Sequence, residues 1–225
     1  MNAATAVLFD LDGTLLDTAR DFHLIINRML TEAGRPAIEY DSLRSQVSNG
    51  ARAMVSHAFG ISPDADLFPD LHQQLLDYYA EQLLVSSSLF PGMPELLDWL
   101  ERHNIPWGIV TNKPERFTRP LLKALNLEHR CGSIICPENV SKTKPDPEGL
   151  LLACRQLNAT PEQSLYIGDH VRDIEAGRAA RMQTVAAGWG YLNPGETAEQ
   201  WHSDYISHDS TDLQPLLHSI MMQAI

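Results

Sequence analysis

A chain of 225 residues is long enough to bury a core of its own, and a formal net charge of −12 sets it against nucleic-acid backbones and anionic membrane surfaces. Its three cysteines, Cys131, Cys136 and Cys154, lack CxxC spacing, which argues against a disulfide framework and a zinc site and for buried thiols in a reducing compartment. A small soluble substrate is the partner that this composition favours.

The chain starts Met-Asn-Ala-Ala-Thr without a basic segment, and its short apolar run meets Asp10 at once. Neither a signal peptide nor a membrane span is therefore expected, and a cytoplasmic location is. Ala6-Val7-Leu8-Phe9 reads as a buried strand that ends at Asp10. Helical spacing follows, first in Phe22, Ile25, Ile26, Met29 and Leu30 and later in Leu71, Leu75, Leu76 and Tyr79. The gap before the next convincing strand is roughly ninety residues, far beyond an ordinary βα crossover. The spacing therefore predicts an inserted helical cap over residues 17–88, with a hinge at Ser86-Ser87-Ser88-Leu89-Phe90-Pro91-Gly92.

Beyond the hinge, strands are expected at Trp107–Val110 before Thr111, Ser133–Cys136 before Pro137, Ser164–Ile167 before Gly168-Asp169, and more weakly Thr184–Ala187. Alternation of such runs with helical segments gives an α/β fold, a Rossmann-like parallel sheet built from residues 1–16 and 89–225. No internal repeat or low-complexity tract is visible.

Four polar fragments fall at the ends of these strands. In Asp10-Leu11-Asp12-Gly13-Thr14 two carboxylates two residues apart can face one side of an extended segment, although Asp-Gly alone also makes a good surface turn. Thr111-Asn112 could donate to phosphate oxygens or cap the next helix. In Lys144-Pro145-Asp146-Pro147-Glu148 the tail reads as a helix start, with Asp146 as N-cap, and leaves Lys144 as a point charge for a phosphoryl group or as a solvated loop lysine. In Gly168-Asp169-His170-Val171-Arg172-Asp173 the two aspartates share a helical face, while Asp169 alone could be an N-cap. Together the fragments occupy the carboxyl edge of a parallel sheet, where ligands bind. Four carboxylates gathered there repel one another by roughly 1–4 kcal/mol per close pair, a conflict that a divalent cation resolves. All-oxygen ligands without a His/Cys cluster favour Mg2+.

DLDGT at 10–14, VTN at 110–112, KPDP at 144–147 and GDHVRD at 168–173 together resemble, in order, the motifs of the haloacid dehalogenase superfamily, in its phosphoglycolate-phosphatase-like branch with a helical cap after the first strand. The resemblance spans nearly the whole chain and implies a phosphatase. It implies that Asp10 is the nucleophile and Asp12 the general acid and base. Thr111 and Lys144 would hold the phosphoryl group, with Thr14 and Asn112 beside the substrate. Mg2+ would be held by Asp10, the Asp12 backbone carbonyl, Asp169 and Asp173, the last directly or by orienting a ligand. His170 departs from the branch and is expected to be a spectator.

Ser48-Asn49-Gly50-Ala51-Arg52 looks like the branch's substrate-specificity loop, and Arg52 is the expected partner of a substrate carboxylate, unless it is simply a solvated helix charge. The stretches SNGARAMV, FPGMPELL, WGIVTNKPERF and ICPENV are similar to the N-acetylmuramic acid 6-phosphate phosphatases of bacterial cell-wall recycling, with 2-phosphoglycolate as the alternative substrate. Among rival classes, a sugar-phosphate mutase would isomerise without releasing phosphate, and a phospho-acceptor module would be phosphorylated once without turnover. A dehalogenase would need neither Asp12 nor Asp169. Oligomeric state is left open, and a monomer is compatible with the sequence.

Overall fold

The computed structural model of the protein describes residues 5–83 and 85–223. The first four residues, on which the reading of the N-terminus partly rests, lie outside them. Strands β1 (Val7–Phe9) and β2 (Leu16–Asp17) lead into helices α1 (Ala19–Glu32), α2 (Tyr40–Arg44), α3 (Ala51–Phe59) and α4 (Phe68–Glu81), after which β3 (Ser88–Leu89) returns. Strands and helices then alternate: α5 (Met93–Arg102), β4 (Trp107–Val110), α6 (Glu115–Ala124), β5 (Ser133–Ile135), α7 (Glu148–Gln156), β6 (Leu165–Gly168), α8 (Val171–Ala179), β7 (Gln183–Ala187), β8 (Tyr205–Ser207) and α9 (Leu213–Gln223). Among the described residues no helix is long and apolar enough to cross a membrane.

The main sheet is six-stranded in the order β5-β4-β1-β6-β7-β8, and all of its pairings are parallel. Both faces are covered, so its strands are apolar on both sides. Val7 and Phe9 pack with Trp107 and Ile109 on one face, while Leu8 turns to the other with Val110, Tyr166, Leu150 and Cys154. The chain runs outward from β1 through β4 and β5, then restarts at β6 on β1's opposite side. The ends of β1 and β6 therefore flank a topological switch point, where the crevice of such a sheet opens.

The expected fold class is the observed one, and the expected strands lie within one residue of the real ones. Strand β8 is the addition to that sheet, and the short strands β2 and β3 are additions outside it. Tyr205-Ile206-Ser207 is three residues long, stands at the sheet edge between Asp204 and His208, and has no apolar run to announce it.

Helices α1 to α4 leave and rejoin the sheet through a two-stranded antiparallel ribbon, in which Leu16 pairs with Leu89 and Asp17 with Ser88. Two polar anchors hold it. The buried Asp21 carboxylate accepts from Ser86 N (2.6 Å), Ser87 N (3.2 Å) and Ser87 Oγ (2.5 Å). Tyr191 Oη accepts from Thr18 N (2.7 Å) and Ala19 N (3.1 Å) and donates to Asp17 Oδ1 (2.8 Å). These bonds satisfy backbone donors where α1 begins, which the helix itself cannot do. An apolar cluster continues from Phe9, Trp107 and Ile109 into Phe22, Ile26, Leu75 and Tyr79 of the helices. Fully burying each such side chain stabilises the fold by about 1.5–3 kcal/mol, so the helices are seated on the sheet by more than their tether.

Candidate active site

Asp10 leaves the end of β1 with its amide still bonded to Ile167 O of β6 (2.9 Å), which holds it in register at the switch point. Lys144 Nζ reaches across to it, 2.7 Å from Asp10 Oδ1 and 2.7 Å from Asp173 Oδ1, and donates to Tyr166 Oη (2.8 Å). Asn112 fixes the lysine's backbone from both ends of its amide, donating to Lys144 O and accepting from Lys144 N at 3.1 Å each. Burial alone would pull the Lys144 ammonium down, but the Asp10 and Asp173 carboxylates outweigh it and hold it above the ordinary lysine value.

Asp169 directly follows β6 and is 1% exposed. Its Oδ1 accepts from Thr14 Oγ1 (3.1 Å), and its Oδ2 from Tyr191 N (2.9 Å) and Ser48 Oγ (2.7 Å). Glycine is needed around it. A Cβ on Gly13, whose φ is +83°, or on Gly190 would overlap the Asp169 side chain, so the glycine of the DxDG fragment serves a close approach and a left-handed backbone together. Asp173 lies in the first turn of α8 and accepts from His170 N (3.1 Å).

Ligand oxygens of Asp10, Asp169 and Asp173 lie within 4.8 Å of one another. Burial and the neighbouring Asp10 and Asp173 charges push the Asp169 carboxyl up to about 7. Burial likewise pushes Asp173 up to about 6, against the opposing pull of Lys144. Three anionic oxygens that resist joint ionisation form a donor set suited to a hard divalent cation, whose charge would remove the conflict.

Asp12 faces the same cleft but has different partners. Lys113 Nζ donates to both of its oxygens (3.0 Å each), and Thr18 Oγ1 donates to Oδ1 (2.7 Å). Burial would lower the Lys113 ammonium, but the Asp12 carboxylate and the neighbouring Tyr79 hydroxyl together outweigh it and raise it. The sequence reading passed over Lys113, whose position directly after Thr111-Asn112 was the available signal. Thr111 Oγ1 accepts from Lys113 N (3.1 Å), which leaves its own hydroxyl proton free to donate into the cleft.

The cleft is a cavity of about 160 Å³ between the sheet edge and the helices. At about 30 Å³ per water it has room for roughly five, which is the scale of a small-molecule site rather than a packing defect. Asp10, Asp12, Thr111, Asn112, Lys144 and Asp173 line its sheet side, and Phe22, Val47, Met54, Leu76 and Tyr79 form an apolar roof. Lys113 Nζ sits 5.1 Å from the Phe22 ring centre and 4.5 Å from that of Tyr79, so cation–π contacts join it to the roof. Tyr79 Oη is buried with no partner at full hydrogen-bond geometry, and the Lys113 ammonium is its polar neighbour.

The expected site residues divide into two groups. Asp10, Asp12, Thr111, Asn112, Lys144 and Asp173 line the cleft, with Asp169 directly behind Asp10 and Asp173. Thr14 turns its hydroxyl to Asp169 and Asn112 commits its amide to Lys144, so both bond to site residues. Arg52 is not among the lining residues; its exposed side chain stacks on Phe68, with 4.7 Å from guanidinium carbon to ring centre. Gly50 and Ala51 of the same loop do reach the cleft. Helix α7 starts at Glu148 rather than at Pro147, yet Asp146 Oδ1 still accepts from Glu148 N (3.0 Å). His170, not Asp169, is the N-cap of α8, its Nδ1 accepting from Arg172 N (3.1 Å). Burial and the Arg172 charge push the His170 imidazole down to about 4.

Comparison with known proteins agrees with this geometry. The profile of the haloacid dehalogenase-like hydrolase family matches residues 7–187. The chain is 45% identical to the N-acetylmuramic acid 6-phosphate phosphatase of Pseudomonas putida over 96% of its own length and 97% of the relative's. It is 41% identical to a phosphoglycolate phosphatase of Xanthomonas campestris pv. campestris over 92% and 93% of the two chains. Among solved structures, a predicted phosphoglycolate phosphatase from Haemophilus somnus superposes with a TM-score of 0.83 at 27% identity, covering 96% of this chain and 99% of that one. The family match over most of the chain and these named relatives establish that the chain belongs to the haloacid dehalogenase-like hydrolase family and, within it, to the phosphatases.

Proposed function

We propose that this phosphatase is magnesium-dependent, uses Asp10 as its nucleophile, and acts in the cytoplasm on N-acetylmuramic acid 6-phosphate as a step of cell-wall recycling. The observation that supports the reading most directly is the seat of Asp10. Its carboxylate lies 2.7 Å from Lys144 Nζ beside two metal-type aspartates, while Asp12, two residues on, faces the same cleft with separate partners.

In this reading an Asp10 oxygen attacks phosphorus in line. The new P–O bond forms as the ester P–O bond breaks, leaving an aspartyl-phosphate. Asp12 gives a proton to the departing alkoxide and then takes one from the water that hydrolyses the intermediate. Lys144 and the Thr111 hydroxyl stabilise the phosphoryl oxygens, fixed in advance by Asn112 and by the backbone of β4. Asp10, Asp169, Asp173 and the Asp12 carbonyl are the groups that would hold the cation, with Thr14 steadying Asp169. When bound, magnesium supplies positive charge against the phosphoryl oxygens and the clustered carboxylates. Residues 17–88 act as a cap whose apolar roof excludes water, and the Tyr79 hydroxyl, beside Lys113 and without a full hydrogen bond, is placed to meet an oxygen of the leaving group.

The 45% identity to an N-acetylmuramic acid 6-phosphate phosphatase supports that substrate, and the Xanthomonas relative makes 2-phosphoglycolate the alternative. Initial rates on both esters and on p-nitrophenyl phosphate, with magnesium or a chelator, test the reading. Chelation and Asp10→Asn are each expected to remove activity by about 10³-fold or more. Turnover that survives either change refutes the mechanism, and a higher kcat/KM for 2-phosphoglycolate transfers the substrate.

A further inference from the structure

Three cations line the cleft, and two of them are committed. Lys144 is paired with Asp10 and Asp173, and Lys113 with Asp12. The third, Arg172, is half-buried and takes part in no ion pair among the described residues. It is nevertheless held in place. Its Nε and its backbone N both donate to His170 Nδ1 at 3.1 Å, and its Nη2 lies 3.0 Å from His170 Nε2, so the guanidinium is held along the imidazole. His170 Nε2 also lies 3.2 Å from Asn49 Oδ1. Asn49 is in the loop before α3, so the arginine is braced through the imidazole against the roof of the cleft.

We infer that Arg172 is the anchor for a carboxylate on the leaving group of the substrate. The physical case rests on three observations. A guanidinium is a fork matched to a carboxylate, and this one lines a substrate cavity without an ion pair among the described residues, feeling the adjacent Asp173 charge only at longer range. It stands in the first turn of α8, between Asp169 and Asp173 in sequence, where the sheet edge meets the helical roof, the seam along which a leaving group would lie once its phosphoryl group is at Asp10. Arg52, the alternative cation, is stacked on Phe68 and does not line the cavity. His170 is accordingly a positioning residue that orients the arginine and ties it to Asn49.

The inference rests on the reading of the substrate as a carboxylated phosphate ester, and the experiment separates the two. kcat/KM is measured for two pairs of esters that differ in a carboxylate: N-acetylmuramic acid 6-phosphate against N-acetylglucosamine 6-phosphate, and 2-phosphoglycolate against ethyl phosphate. Each pair is run in the wild type, Arg172→Met and Arg172→Lys. The wild-type preference for the carboxylated member is expected to fall about ten- to hundred-fold in Arg172→Met, mainly through KM, and to be partly restored in Arg172→Lys. Because each preference is a ratio within one protein, partial misfolding cancels. A fall confined to the small pair upholds the anchor and overturns the sugar-acid substrate. Equal losses on both members of both pairs overturn the anchor. A wild type that hydrolyses p-nitrophenyl phosphate yet favours neither carboxylated ester overturns it too, while leaving the phosphatase reading intact.

Discussion

Two buried lysines meet the carboxyl edge of the sheet, and the sheet and the helical insert share in holding them differently. Lys144 is fixed wholly by the sheet region, through Asp10, Asp173, Tyr166 and the Asn112 amide. Lys113 takes its charge partner, Asp12, from the sheet edge, but its covering comes from the Phe22 and Tyr79 rings of α1 and α4. The first arrangement is complete without the insert and the second is not. Charge that must be present throughout the chemistry is built into the rigid sheet, whereas the surroundings of Asp12 depend on how the helices are docked.

Replacing each lysine by methionine sharpens that contrast and carries the largest expected effect. Lys144→Met leaves Asp10 and Asp173 buried without their cation. It should lower the rate on p-nitrophenyl phosphate by about 10³-fold or more and destabilise the metal-free protein by about 3 kcal/mol, read from denaturant midpoints. Lys113→Met puts a flexible apolar side chain under two aromatic rings, and Asp12 keeps its Thr18 donor. Its stability loss should be about 1 kcal/mol or less, with the greater damage in kcat. Equal destabilisation by the two changes breaks the comparison.

A smaller effect concerns pH. Asp169 and Asp173 have folded-state values raised to about 7 and about 6, so between roughly pH 4 and 7 the folded chain binds more protons than the unfolded one. Their contribution therefore favours folding at the acid end and is lost as pH rises through the folded values. In chelator, Tm should fall by several degrees relative to Asp169→Asn as pH goes from 5 to 8, and magnesium should flatten the difference. A parallel pair of curves removes the explanation.

The smallest effect belongs to the insert's own surface. Arg52→Ala should change kcat/KM on any ester by less than about two-fold and cost at most about 1 kcal/mol, the value of an exposed cation on an aromatic ring. A selective loss on carboxylated substrates would return Arg52 to the site.

What could be read from the sequence was what local spacing encodes. Two aspartates two apart, two aspartates four apart, and apolar runs stopping at polar residues place side chains relative to their own strand or turn, because backbone periodicity fixes direction over that range. The α/β fold, and the position of Asp10, Thr111 and Asp169 at the ends of its strands, were legible for that reason. Even there the reading went only as far as the pattern: Lys113 and Arg172 sat inside quoted motifs without periodicity to distinguish them, and β8 was too short to show one. Tertiary structure alone decided which lysine meets which aspartate, that His170 caps α8 and braces Arg172, and that Arg52 stacks on Phe68 away from the cleft. Those pairings join residues up to more than a hundred positions apart, and they are set by how helices seat on a sheet, a packing outcome that no local spacing contains.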